Sequence, residues 1–396
     1  MTHNLVTNRV AGVLTAVALV LAIAAMGTET LPAQTFNVIY TFTGGADGNA
    51  PFGTPMLYNG NIYGTTKAGG ASNNGTIYEV NFASRHEAVL HAFAGSDGTN
   101  PLAGLIQDLS GNLYGTTYTG GAHGRGTVFK LTLTPTVTYT VLHSFAGRPD
   151  DGAQPAGPLA FDTDFNLYGT TYDGGSTLGY GTTFEIAVDG TLTIGQSFPP
   201  GGALPHGGLC GLGGTFYGTT SGAPPRFAGG TIFQSLKAAP LYTFTGGADG
   251  AQPMAGLIGD SLGNLYGTTA AGGNGSFGLG NGVVFAYNVI SHKLTVLHTF
   301  TGPDGSAPMA ALARDAAGNL YGTTFYGGAS NNGTVFKLDH SGNLTTLHSF
   351  TGGADGARPA AGVLVDAKGN IWGVATGGGA SGAGTLFIIA TAPDSR

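Results

Sequence analysis

The sequence predicts an all-β chain folded as a seven-bladed β-propeller, four strands to a blade, with the last blade completed by the N-terminal strand. Three observations carry this expectation. First, one stretch recurs. Residues 260–269 read D-S-L-G-N-L-Y-G-T-T, residues 108–117 D-L-S-G-N-L-Y-G-T-T, and residues 315–324 D-A-A-G-N-L-Y-G-T-T; looser copies at 61–66, 162–171, 215–220 and 370–375 bring the units to seven. Second, each unit holds four short segments of β-branched and aromatic residues bounded by Gly, Asn and Asp, the signature of strands joined by turns. In one unit these are 103–107, 113–117, 127–131 and 138–145. Third, the period is about fifty residues, which with four strands per unit indicates a propeller blade. A lone blade cannot bury both faces, whereas a closed ring of blades can.

Taken in order, the chain opens with Arg9, an apolar run at 10–26, and small residues at Gly27 and Ala33. This is the pattern of a secretory signal peptide, so residues 1–33 are expected to be a signal cleaved after Gly27 or Ala33. The protein is then secreted or held in the cell envelope. Uncleaved, the run would span roughly 26 Å as a helix, close to the ~30 Å hydrocarbon core, and only then would the protein meet a membrane. No cysteine stands directly after the run, so a lipoprotein anchor is not expected. Residues 36–392 form the propeller and 393–396 a short tail. The last unit has strand segments at 362–365, 371–375 and 385–390 but lacks a fourth. Residues 36–43, F-N-V-I-Y-T-F-T, carry the fourth-strand pattern and are expected to supply it, hiding two edges that would otherwise invite aggregation.

The repeated residues read as folding chemistry. Gly-Asn makes the tight first-to-second-strand turn, and the leading Asp108, Asp260, Asp315 and Asp366 cap turn N–H groups. Leu and Tyr of L-Y-G-T-T point to opposite buried faces. The glycine that follows (Gly64, Gly115, Gly169, Gly218, Gly267, Gly322, Gly373) implies close approach by a neighbouring blade or an aromatic ring. His91, His143, His298 and His348 share a fourth-strand position with Tyr40, Gln196 and Tyr242. Lying on different blades, they are expected to pack with a backbone hydrogen bond rather than bind metal. Asp47, Asp97, Asp151, Asp249, Asp304 and Asp355 head D-G-x-x-P loops. One carboxylate per blade does not supply the six to eight oxygens of a Ca²⁺ site, so Asx-turns are expected there.

Composition narrows function. Of 396 residues 73 are glycine and only 9% are charged, with a net charge of -7. No basic stripe exists to neutralise phosphates, which excludes nucleic acid as a partner. The single Cys210 excludes a disulfide framework or a cysteine metal site. No phosphate-binding loop, H-E-x-x-H or G-x-S-x-G occurs, and neither cofactor nor metal is expected. The chain is expected to be a monomer. The loops between second and third strands differ most between units and share a face with the D-G-x-x-P loops, which is where a scaffold carries function. Their side chains Lys67, Tyr118, His123, Arg125, Tyr172, Asp173, Arg226, Phe277 and Tyr326 are the candidate binding residues, suited to an extracellular glycan or protein. The fourth unit departs most: it has Gly201 in place of the loop Asp and adds His206 and Arg226, through drift or a local site. A lyase or hydrolase acting on a polysaccharide or lactone is the alternative if His, Glu, Asp or Arg converge at the channel mouth. A non-catalytic surface or structural role is the third reading.

The succession G-N-L-Y-G-T-T, G-G-A-x-x-x-G-T-V-F-K-L, L-H-S-F-T-G and D-G-x-x-P, clearest at 112–131, 319–338 and 347–359, resembles the GloVer (Gloeo/Verruco) tandem-repeat family of exported bacterial proteins. The resemblance covers nearly all of the chain after the signal. It implies secretion, in some members with a C-terminal sorting anchor not expected here, and implies no activity or catalytic residue. The D-x-x-G-N-L-Y turn and strand also resemble NHL-type propellers, more weakly.

Overall fold

The computed structural model describes residues 34–176, 179–199, 203–222, 229–237, 239–275 and 279–391. The apolar segment read as a signal, both cleavage points, Arg226 and Phe277 lie outside these residues. Among the described residues there is no helix. Seven antiparallel sheets form the ring, and the second strands of blades 1 to 7 are Asn61–Ala68, Leu113–Thr117, Leu167–Thr171, Thr215–Thr220, Asn264–Thr269, Leu320–Thr324 and Ile371–Ala375. Blade 7 is completed by Thr35–Thr41, which pairs antiparallel with Thr385–Ala390. Phe42, fully buried, follows that strand, and its ring meets Tyr78 of blade 1 edge-on at 5.0 Å.

First strands are shorter than the sequence suggests. In blade 2 the strand is Ile106–Gln107 rather than 103–107, because the preceding residues turn inward toward the ring axis. The mid-strand glycine makes room for an aromatic ring, but that ring belongs to its own blade, not to a neighbour. Gly115 pairs across the sheet with Phe129, and a Cβ on Gly115 would lie 2.6 Å from Phe129 Cζ. The same pairing joins Gly267 to Phe285 and Gly373 to Phe387. In blade 1 the ring is Tyr78, whose hydroxyl would sit 2.3 Å from a Gly64 Cβ. Pro55 stands there where blades 2 to 6 have a leucine such as Leu105.

The turn aspartates cap as expected. Asp260 Oδ1 accepts N–H bonds from Leu262 and Asn264 at 2.9 Å, and Oδ2 accepts from Asn264 Nδ2 and the Tyr266 hydroxyl at 2.9 Å. Asp366 repeats this with Trp372 Nε1 in the tyrosine's place. Burial alone would raise these carboxyls, but the hydrogen bonds outweigh it and hold Asp108, Asp260, Asp315 and Asp366 below the ordinary carboxylate range. A folded pKa below the unfolded one contributes stability above the unfolded value, lost as pH falls through the folded value. The share of stability these four aspartates contribute is therefore expected to hold from neutrality down to about pH 5 and to be lost below about pH 4. Asp260→Ala should lower the thermal midpoint at pH 7 and shallow the acid limb. An acid limb as steep as wild type would contradict the assignment.

The fourth-strand histidines make a different bond from the one expected. His91 Nε2 is 2.8 Å from Asp97 Oδ2, His143 3.0 Å from Asp151, His298 2.8 Å from Asp304 and His348 3.0 Å from Asp355. Tyr40 and Tyr242 donate to Asp47 and Asp249 in the same way. The partner is thus the loop carboxylate, not the backbone. That carboxylate reaches backward, accepting the N–H of Ala94 or Thr43, instead of forming a forward Asx-turn. The two repeated signals, H-x-F and D-G-x-x-P, are halves of one latch.

Candidate functional site

The axis of the ring is built by the residues that follow each D-G-x-x-P proline. The residue before each proline is left-handed: φ is 55° at Ala50, 51° at Asn100, 60° at Gln154, 65° at Leu204, 55° at Gln252, 53° at Ala307 and 54° at Arg358. Its N–H donates to a carbonyl of the preceding blade at 2.7 to 2.9 Å, as Asn100 to Asn74 and, across the closure, Ala50 to Ala383. The proline then seats on a glycine of that preceding blade: a Cβ on Gly75 would lie 2.7 Å from Pro101 Cδ, and one on Gly384 2.6 Å from Pro51 Cδ. Thus pinned, the chain turns into the channel.

A second contact holds the wall. The first threonine of Y-G-T-T donates its hydroxyl, buried, to a carbonyl of the next blade's inner segment. Thr65 reaches Ala103, Thr219 Ala255 and Thr323 Ala361, at 3.0, 2.7 and 2.8 Å. In blade 7 the position is Val374. The second threonine stays within its blade, as Thr117 with Thr127 at 2.8 Å.

The residue after the proline therefore lines the mouth, and small residues behind it let the backbones converge. A cavity of about 640 Å³ results, lined by Phe52, Leu102, Ala156, His206, Met254, Met309 and Ala360 from the seven blades, with Tyr118, Phe325 and Tyr326 from the long loops. The described wall is mainly apolar, its polar side chains being His206, Thr54 and the hydroxyls of Tyr118 and Tyr326. Burial pushes the His206 imidazole down to about 4, so it is neutral at neutral pH, and its ring packs 4.6 Å from that of Tyr172. Burial raises the Tyr118 phenol, whose hydroxyl donates to Gln154 Oε1 at 3.4 Å. Among the described residues no group of three or more His, Cys, Asp or Glu could hold a metal.

The candidate residues read from sequence divide accordingly. Tyr118 and Tyr326 line the cavity, Arg358 lying 6.0 Å over the Tyr326 ring. Lys67 stands beside it with Nζ 5.8 Å from the Phe52 ring, and Tyr172 backs His206. Asp173 is drawn into an ion pair with Arg148 at 2.8 Å. His123 and Arg125 are exposed on their loop and do not line the cavity. Sequence reasoning missed Phe52, Leu102, Met254 and Met309, and placed His206 only as a fourth-unit oddity. The available signal was variation immediately after a repeated proline.

The sequence matches the Gloeobacter/Verrucomicrobia repeat over residues 28–233 and 213–395. The chain belongs to that family. No curated protein matches the chain. Among solved structures, a chain of the mitotic checkpoint complex resembles this Gloeobacter/Verrucomicrobia repeat protein over 92% of its length and 94% of the other, at 14% identity and TM-score 0.56. The gluconolactonase XC5397 from Xanthomonas campestris is similar over 93% and 92% at 12% identity and TM-score 0.44. A chain of the nidogen/laminin complex is similar over 63% and 82% at 18% identity and TM-score 0.42. At such identities what is shared is fold, and only the first likeness is near enough to support even that.

Proposed function

We propose that this repeat protein is exported and acts as a binding module, taking an apolar side chain of an extracellular protein into the mouth of its central channel. The supporting observation is the lining: Phe52, Leu102, Met254 and Met309 converge there from separate blades. Concave, mainly apolar sites of about 300–1,000 Å³ are the usual form of a binding pocket, and methionine adapts to varied apolar shapes. The loop residues read from sequence suited a glycan or a protein, and the mainly apolar wall favours a protein segment. Acid–base chemistry would need partners for His206, which among the described lining residues is the one His, Glu, Asp or Arg.

The test is selection of a displayed random-peptide library against the protein and against Met309→Glu, with a glycan array in parallel. Peptides bearing an aromatic or long aliphatic residue should be enriched, and Met309→Glu should weaken them about tenfold or more, since it buries a charge against the ligand. Enrichment without apolar residues, or glycan binding alone, would overturn the reading.

A further inference from the structure

Six of the seven blade seams are filled in one way. The fourth strand of each blade gives an aliphatic side chain to the cluster around the second strand of the next. Leu90 packs with Leu113, Leu142 with Leu167, Leu241 with Leu265, Leu297 with Leu320, Leu347 with Ile371, and Ile39 with Ile62. The second-strand members are at most 4% exposed. Between blades 3 and 4 the corresponding residues are Gly195 and Phe216. The cluster there receives no aliphatic side chain from the fourth strand. Phe216 is only half-buried and faces Gly211 across the sheet. The unfilled seam is a cleft of about 760 Å³.

Other blades show what suits such a place. In blade 2 the Tyr114 hydroxyl donates to Asp108, and Lys130 Nζ lies 5.6 Å from the ring centre. In blade 6 Tyr321, Asp315 and Lys337 repeat this at 5.8 Å. In blade 5, Tyr266 bonds Asp260 and carries Arg314 at 6.0 Å. Each of these three tyrosines holds a cation of its own chain over its face, whereas in blade 1 Tyr63 faces Glu79, which accepts from Asn61 Nδ2. Blade 3 keeps Tyr168 and Asp162, but the residue opposite Tyr168, where blades 2 and 6 have lysine, is Glu185. The Tyr168 ring stacks on Phe216 at 4.4 Å. Asp162, Glu185, Tyr168 and Phe216 all line the cleft. Neither carboxylate enters a described ion pair, and Lys237, exposed at the rim, pairs with neither.

We propose that the cleft between blades 3 and 4 binds an organic cation, an ammonium or guanidinium group on a short apolar stem. The charge lies between Asp162 and Glu185 beside the Tyr168–Phe216 stack, and the stem fills the volume that leucine occupies at the other seams. This site is separate from the channel mouth and stands whether or not that reading does.

The test is calorimetric titration of the full chain with arginine amide and butylammonium, against citrulline amide and butanol as neutral counterparts. Both cations should bind saturably, each neutral counterpart about tenfold or more weaker. Glu185→Lys, which restores the residue of blades 2 and 6, should abolish binding by supplying the cation internally. Thr183→Val with Gly195→Leu, which installs the residues blade 2 has at these positions, Val128 and Leu142, should abolish it by filling the seam and should raise the melting temperature. Equal binding of arginine and citrulline amides, no saturable cation binding by the wild-type chain, or undiminished binding by a folded Glu185→Lys variant would each overturn the proposal.

Discussion

A chain lacking residues 34–43 is expected to lose its cooperative unfolding transition and to aggregate. Thr35–Thr41 covers the whole of Thr385–Ala390, a strand whose six residues T-L-F-I-I-A are all buried. Without that cover the strand becomes an exposed, uncharged and strongly β-forming edge, the form most prone to intermolecular pairing. Ile39 and Phe42, both buried, also carry the contact to blade 1 through Ile62 and Tyr78. A milder lesion separates closure from edge exposure. Phe42→Ala removes a fully buried ring and should cost about 3–5 kcal/mol, read from denaturant unfolding, while leaving the chain monomeric at low concentration. A truncated chain that stayed soluble and melted at the wild-type temperature would show that closure does not depend on this strand.

The second large effect is expected from a single methyl group. In Gly115→Ala the new Cβ would stand 2.6 Å from Phe129 Cζ and 3.0 Å from Leu105 Cδ2. Gly115 lies in the strand Leu113–Thr117 and not among the left-handed glycines, so the cost is steric rather than conformational. Overpacking of this kind costs typically about 1–3 kcal/mol. Phe129→Leu alone should also destabilise, by leaving a void. The double variant should lose less than the sum, because each change relieves the other. Additive losses would mean that the ring and the methyl do not compete for the same space.

Much of the architecture was legible because it is repeated. The shared pattern of Y-T-F near Phe42 and L-H-S-F near Phe350 pointed to the closing strand, and G-N after an aspartate pointed to a capped tight turn. Less legible was whatever depends on contacts between units. Nothing in the sequence says that the ring facing Gly115 comes from the same blade, or that His298 and Asp304 are partners, since register and loop path decide both. The channel was hidden for a sharper reason. A residue before proline is biased toward extended backbone, and Ala50, Gln154, Leu204 and Arg358 carry no mark of a left-handed turn. The interblade hydrogen bond from each N–H overrides the local preference. The aliphatic seam positions repeat so regularly that Gly195 looks like drift until its missing neighbour is seen beside Phe216.

The proline of each loop and the glycine on the preceding blade form a plug and a socket carried on opposite sides of every repeat. Such an interface is heterologous, the same two unlike surfaces meeting over and over. Copies joined this way extend indefinitely unless the angle between neighbours brings the last socket back to the first plug. Here Gly384 receives Pro51, and a would-be filament becomes a ring. A tandem duplication brings both halves of the joint with it, so repeat number can change without any new surface being invented. What limits the count is whether the rotation still closes.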